Sequence, residues 1–311
     1  MKTALLFPGQ GSQRVGMGRD LAVKFDVAKR TYEEADDVLG FALSQLCWDG
    51  PEDDLTLTKN TQPAILTTSI AVFRVLKDKG LTFDLVAGHS LGEWTALVAA
   101  GALTLRDAVK LTHLRGTYMQ EAVPVGVGAM AAILGLDSEV VRVTCAEVAA
   151  AVGEPVEAAN FNDPKQIVIA GTKGAVDQAC EALKGRGAKR ALPLAVSAPF
   201  HSSLMKPAAE RLQERLLSVT LRTPAIPLVN NIDVAVQTDP DAIREALYRQ
   251  AFGPVRWVEV VQAIRARGAT HLFECGPGKV LAGLARRIDA SLVVGNVLDP
   301  ATLAEAKGLL Q

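Results

Sequence analysis

The sequence predicts an α/β protein: a large domain built on a parallel sheet, resembling an α/β-hydrolase, with a small ferredoxin-like domain inserted in it. Up to about residue 121, short apolar runs alternate with longer segments of helical periodicity, which is the βα alternation of a parallel sheet. Between residues 127 and 196 the pattern becomes β-α-β-β-α-β. After 197 the first pattern resumes, so residues 1–126 and 197–311 are expected to form the large catalytic domain and 127–196 the insertion.

In chain order, Thr3–Phe7 reads as a buried strand and is followed by helices near 20–39 and 62–79. Phe83–Ala87 is a second apolar run. From Leu91 the apolar residues Leu91, Trp94, Leu97 and Val98 recur at helical spacing, and a further helix reaches about Glu121. The insertion reads as a strand at 129–134, a helix near 138–151, extended runs at 156–160 and 166–170 around the Asp163-Pro164 turn, a helix near 173–184 and a strand at 189–196. The return segment carries a helix near 202–218, strand signals around 226–236, helices near 241–251 and 255–267, and a strand at 271–274 before the Gly276-Pro277-Gly278 turn.

The 311 residues suffice for a full α/β core. Charged residues make up 22% with a formal net charge of -1, a balance that points to neither nucleic acid nor a membrane surface as partner. Cys47, Cys145, Cys180 and Cys275 lie far apart with no C-x-x-C pair, which argues against a zinc site and a disulfide framework and for a reducing compartment. The first apolar run is broken at Pro8-Gly9, too short for a signal-peptide core, and the tract from Ala122 to Leu136 is interrupted by Pro124, Gly126 and Gly128. A cytoplasmic, monomeric protein is expected.

Gly88-His89-Ser90-Leu91-Gly92 fits G-x-S-x-G at a strand-to-helix junction, the signature of a nucleophile elbow. A serine nucleophile needs a base, and the chain has four histidines. His89 adjoins the serine on a sharp turn, His113 lies in an apolar helix and His271 in a buried strand, so each reads as structural. His201 lies where the insertion rejoins the large domain, before a helix start marked by Ser202 and Ser203. On spacing alone it is a base kept neutral by a helix N-terminus, or simply a helix-start residue. Arg115, in the helix after the elbow helix, is either a solvated surface residue or a bidentate clamp for a substrate carboxylate.

Phe7-Pro8-Gly9-Gln10-Gly11-Ser12-Gln13 follows the first strand but fails the dinucleotide fingerprint, since Arg14 stands where the third glycine belongs. What remains is a loop whose N–H groups can meet an oxyanion. Lys184, Arg186, Lys189 and Arg190 form a basic cluster on the insertion, either solvated or a docking patch for an acidic partner.

These residues together resemble the malonyl-CoA:acyl carrier protein transacylase family. The similarity runs in order through Phe7–Gln13, Gly88–Glu93, Arg115–Pro124, Ala159–Gly171, Pro199–Ala208 and Arg249–Trp257. The resemblance implies Ser90 as nucleophile, His201 as base, Arg115 as clamp for the malonyl carboxylate, and the backbone N–H groups of Gln10 and Leu91 as oxyanion hole. It implies that the backbone carbonyl of Gln250 orients His201, that Asn160, Asn162 and Gln166 touch the thioester donor, and that Phe200 walls the space beside the substrate α-carbon. It further implies ping-pong transfer from malonyl-CoA to the phosphopantetheine thiol of an acyl carrier protein in fatty acid biosynthesis, with no metal or redox cofactor. The alternatives are a trans-acting acyltransferase of a polyketide pathway, a serine thioesterase or hydrolase with the same elbow, and a non-catalytic carrier-binding module.

Overall fold

The computed structural model describes residues 1–196 and 198–310; the domain junction expected at 197 and the C-terminal Gln311 lie outside the described residues. The first stretch holds β1 (Lys2–Phe7), α1 (Arg19–Lys24), α2 (Asp26–Leu39), α3 (Leu43–Asp49), α4 (Glu52–Thr56), α5 (Thr58–Asp78), β2 (Leu85–Gly88), α6 (Leu91–Ala99) and α7 (Leu105–Glu121). Next come β3 (Gly128–Leu134), α8 (Ser138–Val152), β4 (Val156–Asp163), β5 (Gln166–Thr172), α9 (Lys173–Gly185) and β6 (Arg190–Pro193). The chain closes with α10 (Lys206–Leu216), β7 (Leu228–Val229), α11 (Pro240–Phe252), α12 (Trp257–Ala266), β8 (Ala269–Cys275), α13 (Val280–Ile288), β9 (Val293–Val297) and α14 (Pro300–Leu310).

Five strands form a parallel sheet in the order β7-β2-β1-β8-β9. Its central strand is apolar on both faces. Leu5 and Phe7 enter one core with Val86 and Phe273, while Ala4 and Leu6 enter the opposite core with Ala87 and Leu272. That two-sided burial is why the strands read as continuous apolar runs rather than alternating ones. The antiparallel sheet has the order β4-β5-β3-β6, which with α8 and α9 is the ferredoxin-like arrangement. Its edge strand β6 is shorter than the run at 189–196 suggests; Pro193 has no N–H to give and closes it.

Several helices depart from the periodicity. The segment 20–39 is two helices, because Phe25 turns extended (φ -131°) and packs its ring against the core. α5 begins at Thr58, with Pro63 inside it. Proline cannot donate to the Lys59 carbonyl one turn back. The His113 ring donates to that carbonyl instead, at 2.9 Å. This histidine is structural. The helix expected at 202–218 opens as a 3-10 turn at Ser203–Met205, and α3, α4, α13, β9 and α14 had no sequence reading.

The two sheets are joined close to the site. Val255, which follows α11, exchanges backbone hydrogen bonds with Ala159 and Phe161 of β4, each at 2.9 Å. The buried Asp163 carboxylate takes a 2.7 Å bond from Arg287 of α13.

Candidate active site

Ser90 sits between β2 and α6 at φ 53° and ψ -108°, a strained backbone for a residue with a side chain. Its two glycines make the turn possible. A Cβ on Gly88 would lie 1.9 Å from the Gly92 carbonyl, and one on Gly92 would lie 2.0 Å from the Phe7 carbonyl oxygen. Spacing and residue type in G-x-S-x-G therefore record close backbone contacts among β1, β2 and α6. The side chain of Asn231, just after β7, braces the turn: its Nδ2 donates to Gly88 O (2.7 Å) and its Oδ1 accepts from Ser90 N (2.7 Å).

The Ser90 hydroxyl lies 2.7 Å from His201 Nε2. On the other side of the ring, Nδ1 faces two carbonyl oxygens, Gln250 O at 3.0 Å and Gly253 O at 3.1 Å. Carbonyls can only accept, so Nδ1 carries the hydrogen and Nε2 is left with a lone pair toward the serine. His201 itself has a left-handed backbone, φ 61°. Its pKa is pushed down to about 3, first by burial and then by the positive charge of Arg115 and the neighbouring His89.

This corrects the sequence argument for a neutral histidine. The ring is not governed by a helix N-terminus: it meets the C-terminal carbonyls of α11, which favour the cation, and burial overrides them. Ser202 and Ser203 do not cap a helix either. Ser202 Oγ donates to Pro199 O, and Ser203 bonds Glu157 of the antiparallel sheet.

Arg115 is buried, at 2% exposure, and is not a surface residue. Its Nη1 donates to Gln62 Oε1 (2.8 Å), while Nη2 donates to Gln250 Oε1 (3.1 Å) and reaches Ser90 Oγ at 3.3 Å. Nε has no partner among the described residues. Burial lowers its pKa to about 10, so it is cationic at neutral pH. No carboxylate forms an ion pair with it among the described residues, and it faces a cavity of about 660 Å³.

That cavity lies between the two sheets. Ser90, Leu91, Gln10 and Arg115 line it from the large unit, Asn160 and Asn162 from β4, and Phe200 and His201 from the segment that rejoins them. The backbone N–H groups of Gln10 and Leu91 have no acceptor among the described residues and remain free for an oxyanion. Phe200 is half-buried, packing on both the large core and Met130, Ala159 and Val168 of the antiparallel sheet. Gln166 is elsewhere. It is absent from the cavity wall, and its Oε1 accepts from Arg287 across the hairpin (3.3 Å), so the structure does not bring it to the donor site.

Four buried polar side chains had no role in the sequence reading, which used only the backbone carbonyl of Gln250. Gln62 and Gln250 hold Arg115, Asn231 braces the elbow, and Glu93 accepts from Asn231 N (2.8 Å) and Gln250 Nε2 (3.2 Å). His89, read from the sequence as structural, is half-buried and lines the cavity, with Nε2 2.8 Å from Asn162 Oδ1. The polar run Asn230-Asn231-Ile232-Asp233 ending an apolar strand is the one local signal for Asn231. Gln62 and Glu93 lie on apolar helices and carry none.

The chain matches the family described as "Acyl transferase domain" over residues 4–287. It is 49% identical over 304 residues to the malonyl CoA-acyl carrier protein transacylase of Escherichia coli K12, covering 97% of this chain and 98% of that one. It belongs to that transacylase family. Among solved structures, the acyl-carrier-protein S-malonyltransferase of Burkholderia pseudomallei superposes with a TM-score of 0.95 at 58% identity, over 98% of this chain and 99% of that one. A malonyl-transacylase solved in complex with a type II PKS acyl-carrier protein superposes with a TM-score of 0.96 at 50% identity, over 98% and 99% of the two chains. The family assignment excludes the hydrolase and binding-module readings. Of the basic cluster, Lys184 pairs with Glu181 and Arg186 with Glu147, while exposed Lys189 and Arg190 have no ion pair among the described residues.

Proposed function

We propose that this chain is a malonyl-CoA:acyl carrier protein transacylase working through a Ser90 ester. The observation that carries the reading is the 3.3 Å separation between a buried, cationic Arg115 and the Ser90 hydroxyl. Malonyl has one methylene between its carboxylate and its thioester carbonyl, so a carboxylate held by Arg115 leaves the carbonyl carbon beside Ser90 Oγ. An acetyl group has nothing to offer the guanidinium.

His201 Nε2 takes the hydroxyl proton as Ser90 Oγ bonds to the thioester carbon. The oxyanion meets the N–H groups of Gln10 and Leu91. The tetrahedral intermediate collapses with cleavage of the C–S bond, and the departing CoA sulfur takes the proton from His201. In the second half, the phosphopantetheine thiol of the carrier gives its proton to Nε2 and attacks the ester, and Ser90 leaves with that proton. Two backbone carbonyls replace the acid of a hydrolase triad in orienting His201. These side chains balance both halves, which supports a reaction without metal or redox cofactor.

Fatty acid biosynthesis is the pathway this activity serves in the proposed reading. The 50% identity to a malonyl-transacylase solved with a type II PKS carrier favours a second reading, supply of malonyl to a polyketide carrier. Carrier docking is assigned to the Lys184–Arg190 cluster, chiefly to unpaired Lys189 and Arg190. A cytoplasmic monomer divided near residues 127 and 197 completes the proposal. No described helix is long and apolar enough to cross a membrane. Intact-protein mass spectrometry after mixing with malonyl-CoA tests the core claim: one malonyl adduct is expected, and an unmodified chain would overturn it. Transfer rates onto fatty-acid and polyketide carriers separate the two pathways.

A further inference from the structure

Arg115 is buried with no ion-paired carboxylate among the described residues, yet a carboxylate lies just behind it. Glu93, on α6, is 2% exposed. It is separated from Arg115 by one carboxamide: Gln250 Oε1 accepts from Arg115 Nη2, and Gln250 Nε2 donates to Glu93 Oε2. The same Nε2 bonds Ser90 O at 2.9 Å, and Asn231, whose N–H holds Glu93, braces the elbow. We propose that Glu93 is the internal countercharge of Arg115, placed behind Gln250, and that it limits how tightly the guanidinium holds the acyl carboxylate.

The proposal rests on the malonyl-transfer reading and extends it. A clamp must release as well as bind, because the malonyl group leaves for the carrier thiol within one turnover. A bare buried guanidinium would hold the malonyl carboxylate strongly and make the ester a trap. A second carboxylate near Arg115 competes for its charge without occupying the substrate position. Glu93 touches neither substrate nor the reacting atoms; it is a positioning residue. Burial raises its pKa to about 7, against the lowering by its hydrogen bonds from Asn231 and Gln250 and by the charge of Arg115, so its charge changes near neutral pH.

The other charged groups around it are few. Arg115 faces it from α7, and Asp233 from the turn after β7, where Asp233 is held ionised by a two-bond pair with Arg249. α11 presents only the neutral Gln250. Arg115 stays charged below about 10, and His201 and His89 are neutral above their depressed pKa values.

Glu93→Gln removes the charge and keeps an oxygen that can accept from Asn231 N and Gln250. Its amide nitrogen would face the small, mostly apolar cleft whose wall also holds Asn230 and Gln237. Calorimetric titration with free malonate at pH 8.5 is expected to give roughly tenfold tighter binding to Glu93→Gln than to the wild-type chain. Between pH 7 and 8.5 the wild-type affinity should weaken while that of the variant stays flat. In turnover, the ratio of KM for malonyl-CoA to KM for acetyl-CoA should fall roughly tenfold in the variant. Equal malonate affinities at pH 8.5, or equal effects on both donors, would overturn the role and leave Glu93 a structural acceptor. If the variant does not fold, the wild-type series alone decides: a flat series rejects the proposal. A wild-type chain that forms the malonyl ester but shows a flat series loses only the Glu93 role; one that forms no ester loses the transfer reading itself.

Discussion

The two sheets contribute to one cavity by different physical means. On the parallel-sheet side, Ser90, His201 and Arg115 are held by buried groups: Asn231, the carbonyls of Gln250 and Gly253, Gln62 and Gln250. Nothing there can move without leaving a buried polar atom unpaired, which costs about 1–3 kcal/mol per group. The antiparallel sheet presents Asn160, Asn162 and Val168 to the same cavity, and it is tied on mainly at its partly exposed edge: by two backbone bonds at Val255, the Asp163–Arg287 ion pair, and side-chain bonds from Ser203 to Glu157, from Arg287 to Gln166 and between His89 and Asn162. In the proposed reading, the chemistry falls on the side braced by buried polar groups and donor contact on the other. Substitutions on the first side should cost rate, and those on the second should cost binding.

The sharpest break in that comparison is Ser90→Ala or His201→Ala. Each should lower kcat/KM by on the order of 10⁴-fold or more; Ser90→Ala should lose little thermal stability and show no acyl adduct by intact mass, while His201→Ala, which leaves the Gln250 and Gly253 carbonyls without their donor, should also lose about 1–3 kcal/mol of stability. An adduct on Ser90→Ala would place the nucleophile elsewhere. Arg115→Ala comes next: malonyl transfer should lose about 2–5 kcal/mol, while acetyl transfer is spared or improved. The readout is kcat/KM for the two donors, and a common loss would make Arg115 a packing residue.

On the antiparallel side, Asp163→Ala removes the Arg287 ion pair and the turn bond to Lys165 N. With Arg287 half exposed, the cost should be only about 1 kcal/mol in stability. It should appear in KM for malonyl-CoA rather than in kcat, and a kcat loss at unchanged KM would place the chemistry under control of the hairpin. Phe200 touches both sides. Phe200→Ser should raise methylmalonyl over malonyl transfer by a factor worth about 1–3 kcal/mol. An unchanged donor ratio with a lower Tm would leave Phe200 as core packing.

The smallest effect concerns pH. A histidine whose pKa is depressed to about 3 remains a competent base well below the ordinary 6.5, so acylation by acetyl-CoA should stay flat from pH 8 to 5. Arg115→Ala removes one cause of the depression, and its profile should begin to fall at higher pH. The same shift destabilises the fold in acid: the unfolded histidine gains a proton below 6.5 that the native one refuses, so its share of stability is lost as pH falls through that window. A wild-type profile already falling near pH 6.5 would contradict the burial argument.

Much of this was legible in the residues alone. The glycines flanking Ser90, the βα alternation, the β-α-β-β-α-β insertion and the isolation of His201 from three better-explained histidines are local patterns, and local patterns follow from backbone sterics and periodicity. Arg115 lay undecided between surface and site because a helix reads the same from both sides until its neighbours are placed. Three things belong to the tertiary structure: the tautomer of His201, fixed by carbonyls 49 and 52 residues away; the bracing of Ser90 by Asn231, 141 residues away; and the line from Arg115 through Gln250 to Glu93. Gln166 shows the converse, a residue inside a family-like block whose side chain the hairpin turns toward Arg287. Spacing along the chain encodes which face a side chain leaves from. Which partner it meets is settled by the burial of polar groups that must each find one.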